Sequence, residues 1–136
     1  MFFFKSKNIG DMGEKKAVKF LKKKGYSILE TNFKTKFGEI DIIAKKDDCI
    51  CFVEVKTRSS ENFGEPREAV NFYKQQKISS VAKFYLMKQK EDMMCRFDVI
   101  EVKYDKDDKK FIEINHIEDA FWSKWQIKIA KMTKKD

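Results

Sequence analysis

The stretch Gly38-Glu39-Ile40-Asp41-Ile42-Ile43-Ala44-Lys45-Lys46-Asp47-Asp48-Cys49-Ile50-Cys51-Phe52-Val53-Glu54-Val55-Lys56 decides how this chain folds. Gly38 to Ala44 and Phe52 to Lys56 are rich in β-branched and aromatic residues, and Lys45 to Cys49 is a polar break of hairpin length, so the spacing predicts an antiparallel hairpin. A turn centred on Asp47-Asp48 sets Asp41 opposite Glu54 and Glu39 opposite Lys56, all on one face. Carboxylates opposed at about 5 Å repel and destabilise a sheet, and burying them unpaired is costly. A divalent cation compensates most directly, because hard ions such as Mg²⁺ take oxygen ligands from carboxylates, waters and phosphates. Strand carboxylates on a solvated face, with Glu39 and Lys56 as a cross-strand ion pair, would need no cation. Register is decisive, since a one-residue slip puts Asp41 and Glu54 on opposite faces.

The rest of the chain sets bounds on that reading. With 136 residues it has the length of one domain, and 42% hydrophobic against 38% charged residues is globular composition with a heavily solvated surface. Lys and Arg number 30 against 22 Asp and Glu, a net charge of +8, which favours a polyanion such as nucleic acid as partner. An anionic membrane surface is the lesser alternative. Cys49, Cys51 and Cys95 form no zinc pattern, because the Cys-x-Cys pair has no second pair and His116 is the sole histidine. Cys49 and Cys51 share the strand face away from Glu54 and read as small core hydrophobes. The odd cysteine count without a secretion signal points to a reducing cytoplasm. Met1-Phe2-Phe3-Phe4-Lys5 is far shorter than a signal-peptide core, and no apolar run approaches a transmembrane span, so a soluble protein is expected.

Asp11 through Lys24 reads as a helix, with Asp11 as N-cap, an apolar stripe through Ala17, Val18, Phe20 and Leu21, and Gly25 as C-cap. Strands are predicted at Ser27 to Lys36, Gly38 to Lys45 and Ile50 to Arg58. A turn-rich loop from Ser59 to Pro66 then leads to a helix from about Arg67 to Lys88, and strands follow at Arg96 to Tyr104 and Phe111 to Ile117. That order predicts an α/β fold, a mixed sheet flanked by helices, with the crossover after the third strand making the next strand parallel to it. After Ile117, Phe121, Trp125 and Ile129 fall on one helical face, with Trp122 beside them and Lys124, Lys128 and Lys131 on other faces. Residues 118–136 are therefore expected to form an amphipathic helical extension of the domain at 8–117, packed on its surface or holding a partner.

Glu14 adds an acid. It shares a helix face with Ala17, Val18 and Leu21, so it points toward the sheet, although Asp11-x-x-Glu14 also resembles a capping box. Pointing inward, it would join Asp41 and Glu54 around a cation with Lys56 alongside. That set suits phosphodiester hydrolysis, in which a cation polarises the phosphoryl oxygen and an ammonium stabilises developing charge.

Asp41 followed by Glu54-Val55-Lys56 resembles the PD-(D/E)xK nuclease signature, and the helix-strand-strand-strand-helix-strand order resembles that superfamily's restriction-endonuclease-like core. Gly13-Glu14, Asn32, Gly38 through Ala44, Phe52-Val53-Glu54-Val55-Lys56-x-Arg58, Phe63-Gly64-x-Pro66-x-Glu68-Ala69-Val70, Lys74-Gln75 and Arg96 through Ile100 together resemble the YraN-like (UPF0102-type) bacterial family. Those proteins are similar to archaeal Holliday-junction resolvases. The resemblance runs from about Asn8 to Ile117. It implies that Asp41, Glu54, Glu14 and the Val55 carbonyl hold Mg²⁺ or Mn²⁺, that Lys56 is the catalytic lysine, and that Glu39 stands behind the ligands. Lys34 departs from the pattern, because the family usually has arginine there, which weakens bidentate phosphate contact.

The reading is therefore a metal-dependent endonuclease acting on DNA, including branched or otherwise unusual DNA in recombination or repair. Lys34, Lys36, Arg58, Lys74 and Lys77 are placed along its phosphate path, because they flank the carboxylates or open the second helix. A preference for branched DNA would rest on the spacing of two active sites in a homodimer. The alternative is a catalytically silent nucleic-acid-binding module on a nuclease scaffold, working inside a repair or DNA-uptake complex.

Overall fold

The computed structural model describes residues 8–59, 70–89 and 93–126. Their order is α1 (Ile9–Lys23), β1 (Ser27–Thr35), β2 (Gly38–Lys46), β3 (Cys49–Ser59), α2 (Phe72–Met87), β4 (Met94–Asp105) and β5 (Lys110–Phe121). The strands make one sheet in the order β1-β2-β3-β4-β5, with β3 and β4 parallel and every other neighbouring pair antiparallel. The helical crossover through α2 explains the exception, because it lets β4 start from the same end of the sheet as β3. The expected mixed sheet flanked by helices is observed.

Alternation along the strands divides the core into two layers. Ile43, Ile50, Phe52, Phe97 and Val99 pack with Ile78, Val81 and Ala82 of α2. Ile42, Ala44, Cys51, Val53, Ile100 and Val102 pack with Ala17 and Leu21 of α1. Successive residues point to opposite faces, so the helices cover opposite sides of the sheet. Cys51 is buried in the α1 layer as expected, and all three cysteines are free.

The ends of the elements differ from the sequence reading in instructive ways. Asn8, not Asp11, is the N-cap of α1: its side chain accepts from the Asp11 N–H at 2.7 Å. Asp11 thus stands inside the first turn, favourably placed against the helix dipole, and the Asp11-x-x-Glu14 capping box does not form. Gly25 ends the helix as predicted, with φ of 92° and its N–H on the Lys22 carbonyl at 3.0 Å. Helix α2 starts at Phe72 behind the Asn71 cap, later than expected, and residues 60–69, which hold the proline loop, lie outside the described residues.

Strand β5 continues to Phe121, beyond the boundary expected at Ile117. Residues 118–121 are strand because β4 still offers a partner there. Phe97 pairs with Phe121, and the two rings stack with centroids 5.0 Å apart. Residues 124–126 are helical, and Trp125 packs across Phe97 at 6.0 Å while its Nε1–H donates to Ser79 Oγ at 2.8 Å. Phe121 and Trp125 therefore serve the core, and Ile129 lies outside the described residues. Among the described residues no helix is long and apolar enough to cross a membrane.

Candidate functional site

The β2–β3 hairpin has the register the sequence predicts. Its ladder runs from Lys46 opposite Cys49 to Ile42 opposite Val53, around a turn in which Asp47 takes a φ of 54°. There the recorded ladder stops, so the expected direct oppositions of Asp41 with Glu54 and of Glu39 with Lys56 are not made. Glu39 pairs across to Lys34 on β1, and Lys56 lies beside Glu101 on β4. Ile40 packs in the α2 layer while Ile42 packs in the α1 layer, although an unbroken strand would put residues two apart on one face. The strand rotates at Asp41. Asp41 Oδ2 accepts from the Val55 N–H at 2.8 Å, a bond made by a side chain where a continued ladder would use a carbonyl.

This rotation places Asp41 in a seam between two acids on different elements. Glu54 is 6% exposed, and its Oε1 is 2.7 Å from the Lys74 ammonium. Burial and then the Asp41 charge push Glu54 up to about 7, against the pull of Lys74. On the other side, Glu14 is also pushed up to about 7, by burial first and then by Asp41. Gly13 makes that approach feasible. It is buried against β3, where a Cβ would collide with Thr57 Oγ1, so only glycine lets α1 bring Glu14 this close.

Asn32 ties the cluster to β1. Its backbone adopts a φ of 50°, which asparagine tolerates better than most residues. With the amide nitrogen directed at the two carboxylates facing it, Asn32 donates to Glu14 Oε2 and Glu39 Oε1, each at 3.1 Å. Glu14, Asn32, Asp41 and Lys15 help line a cleft of about 570 Å³ between α1 and the β1–β2 hairpin. Glu54 lies on the α2 side of the seam, with Lys74. Among the described residues no three His, Cys, Asp or Glu side chains are gathered as a metal-ligating group.

The basic residues assigned to a phosphate path divide. Lys34 and Lys36 are exposed, and Lys77 lies over the Tyr73 ring at 4.7 Å. Arg58 Nε sits 3.1 Å from Oε2 of the buried Glu101, so its charge is directed into the sheet. Lys56 is half-buried, on the strand face shared with Glu54 and Arg58. The role of Lys74 as the counter-ion of Glu54 and the bridging by Asn32 went unread in the sequence. An asparagine inside a strand-like run was the one local hint, since it favours the left-handed region; for Lys74 there was none.

A profile of the uncharacterised protein family UPF0102 matches residues 13–102. The chain belongs to that family. A UPF0102 protein of Clostridium perfringens is 52% identical over 117 residues, covering 85% of this chain and 95% of the relative. One from Alkaliphilus oremlandii is 53% identical over 119 residues, covering 85% and 99%, and one from Caldanaerobacter subterraneus is 51% identical over 116 residues, covering 85% and 95%. The matched segment contains Glu14, Asn32, Asp41, Glu54, Lys56 and Lys74, so the whole seam belongs to the family portion of the chain.

Proposed function

We propose that the seam is a divalent-cation site for phosphodiester hydrolysis, on a core of the restriction-endonuclease-like PD-(D/E)xK type. The protein would then be an endonuclease acting on DNA, including branched or otherwise unusual DNA in recombination or repair. The observation that carries this reading is the position of Asp41 between Glu14 and Glu54, two carboxyls that burial first, and the Asp41 charge second, push up to about 7, Glu54 even with Lys74 beside it. Perturbed, mutually repelling acids at a cleft are what a cation site requires before it is filled. The donor chemistry fits as well, since every candidate ligand is an oxygen.

Asp41, Glu54, Glu14 and the Val55 carbonyl would hold Mg²⁺ or Mn²⁺. The cation, when bound, supplies charge stabilisation at the phosphoryl oxygen and a more acidic water. The Lys56 ammonium stabilises negative charge that develops on the phosphorane, a contribution made in the transition state and not in coordination. Asn32 steadies Glu14 by bridging it to Glu39. Lys74 neutralises Glu54 in the cation-free protein, and Lys34, Lys36 and Lys77 offer charge to phosphates, with Arg58 shared with Glu101.

One observation favours a second reading, a catalytically silent nucleic-acid-binding module in a repair or DNA-uptake complex. Lys74 already occupies Glu54, and no ligating trio is gathered among the described residues. Calorimetric titration of Mg²⁺ and Mn²⁺, beside an Asp41→Asn control, separates the two. A saturable isotherm that the substitution removes supports the nuclease, as does cleavage of four-way, flapped, single-stranded or linear DNA that is lost in Lys56→Ala. No isotherm and no cleavage with either metal leaves the binding module.

A further inference from the structure

The other flank of α1 carries a surface of opposite character. A groove of about 720 Å³ runs between α1 and the turn joining β4 to β5. It is lined by six lysines: Lys15, Lys16, Lys19 and Lys22 from the helix, Lys109 from the turn and Lys110 from the start of β5. Phe111 forms part of its wall, with the Lys16 ammonium 5.8 Å from the ring centroid. Among the described residues no carboxylate lines it. The nearby acids of the turn are Asp105, Asp107 and Asp108, and Asp105 is committed locally, accepting from the Asp107 and Asp108 N–H groups at 2.9 and 3.2 Å.

The fold creates this concentration of charge. Gly13, Ala17 and Leu21 are buried against the sheet, which fixes the rotation of α1 and leaves Lys15, Lys19 and Lys22 on the side turned away from it. The turn, where Lys109 takes a φ of 51°, brings the remaining two lysines to the same groove from far along the chain. Like charges confined in a concavity repel one another and focus a positive field, and a polyanion relieves that repulsion. Lys15 and Val18 line both this groove and the Asp41 cleft, so the two are continuous around α1.

We propose that the groove is a phosphate-backbone track for nucleic acid, carrying a strand around α1 into the cleft that holds Glu14 and Asp41. The proposal rests on the nucleic-acid reading given above but not on catalysis or on a cation. Concavity favours a strand over a lipid surface, and the Phe111 ring offers a face on which a base can stack.

The test uses the full chain with Lys19, Lys109 and Lys110 together replaced by Gln, and a second variant with the same positions replaced by Arg. Binding of labelled single-stranded and four-way DNA is followed by anisotropy across a salt series. The Gln variant should lose about tenfold or more in affinity at low salt, with the log–log salt slope shallower by roughly two to three units, while the Arg variant keeps the wild-type slope. Unchanged Mg²⁺ calorimetry and thermal melting would show that the seam and the fold are intact. A wild-type protein that binds DNA with the slope unaltered in the Gln variant overturns the groove alone. No DNA binding by the wild type overturns the groove and the nucleic-acid reading together. Binding of phosphatidylserine vesicles that depends on the same lysines, without DNA binding, assigns the surface to a membrane and likewise overturns the proposal.

Discussion

Asp98 and Glu54 stand on neighbouring strands, both almost wholly out of water, yet the protein drives their charge in opposite directions. Burial alone would raise both. Asp98 nevertheless lies below the usual aspartate range, because His116, Arg96 and the Asp119 N–H together outweigh its desolvation. Its oxygens accept from Arg96 Nε and Nη2 at 2.9 Å, from His116 Nε2 at 2.7 Å and from Asp119 N–H at 3.0 Å. Lys24 Nζ lies 2.9 Å from His116 Nδ1; an ammonium only donates, so Nδ1 accepts and Nε2 carries the hydrogen directed at Asp98. Arg96 also donates to the Tyr26 hydroxyl at 2.6 Å, so this acid pins β4 to β5 and to the end of α1. Glu54 has one ammonium and a like-charged neighbour. The number of donors, and not depth alone, separates an acid that holds the fold from one whose charge is left poorly compensated.

The largest expected effect tests the satisfied side of that contrast. Asp98→Ala strands the buried His116 imidazole and the half-buried Arg96 without their acceptor and should cost about 3–5 kcal/mol in urea unfolding. A loss below about 1 kcal/mol would reduce Asp98 to an ordinary polar residue. Asp41→Asn tests the other side. An asparagine carbonyl can still accept from the Val55 N–H, so metal-free stability should stay within about 1 kcal/mol of wild type, while the Mg²⁺ and Mn²⁺ isotherms disappear. A large stability loss here would mean the seam is paired as thoroughly as Asp98.

The pH dependence of stability should carry both signatures. Glu14 and Glu54 are raised from 4.5 to about 7 in the folded state, so between those values the native protein binds more protons than the unfolded chain. Their contribution is therefore present in acid and lost as pH rises through about 7. Asp98 has the opposite sign: its contribution is present above the ordinary aspartate range and lost as pH falls through its depressed value. Metal-free melting temperatures should decline from about pH 5 to pH 8, and Glu14→Gln with Glu54→Gln should flatten that decline. An unchanged decline in the double variant would assign the titration to other groups. The smallest effect belongs to Lys74→Met. Its side chain is 43% exposed, so losing the pair should cost only about 0–1 kcal/mol, yet it should steepen the same pH decline by removing the charge that opposes protonation of Glu54.

The hairpin around Asp47-Asp48, the mixed sheet and the family were legible in the residues alone. Strand periodicity, turn chemistry and linked motifs are local, and each survives in a linear reading. Glu14, Asp41 and Glu54 were equally legible as acids where core residues belong. Their geometry was not. The rotation of β2 at Asp41 depends on a hydrogen bond to β3 competing with the ladder, and the approach of Glu14 depends on Gly13 meeting Thr57 across two layers. The Asn8 cap, the extension of β5 to Phe121 and the pairing of Lys74 with Glu54 were also decided in three dimensions, because each is set by a partner far away or by competition between neighbouring caps. Residue type and spacing singled out the candidate groups; packing of two helices on opposite faces of one sheet decided which of those groups meet.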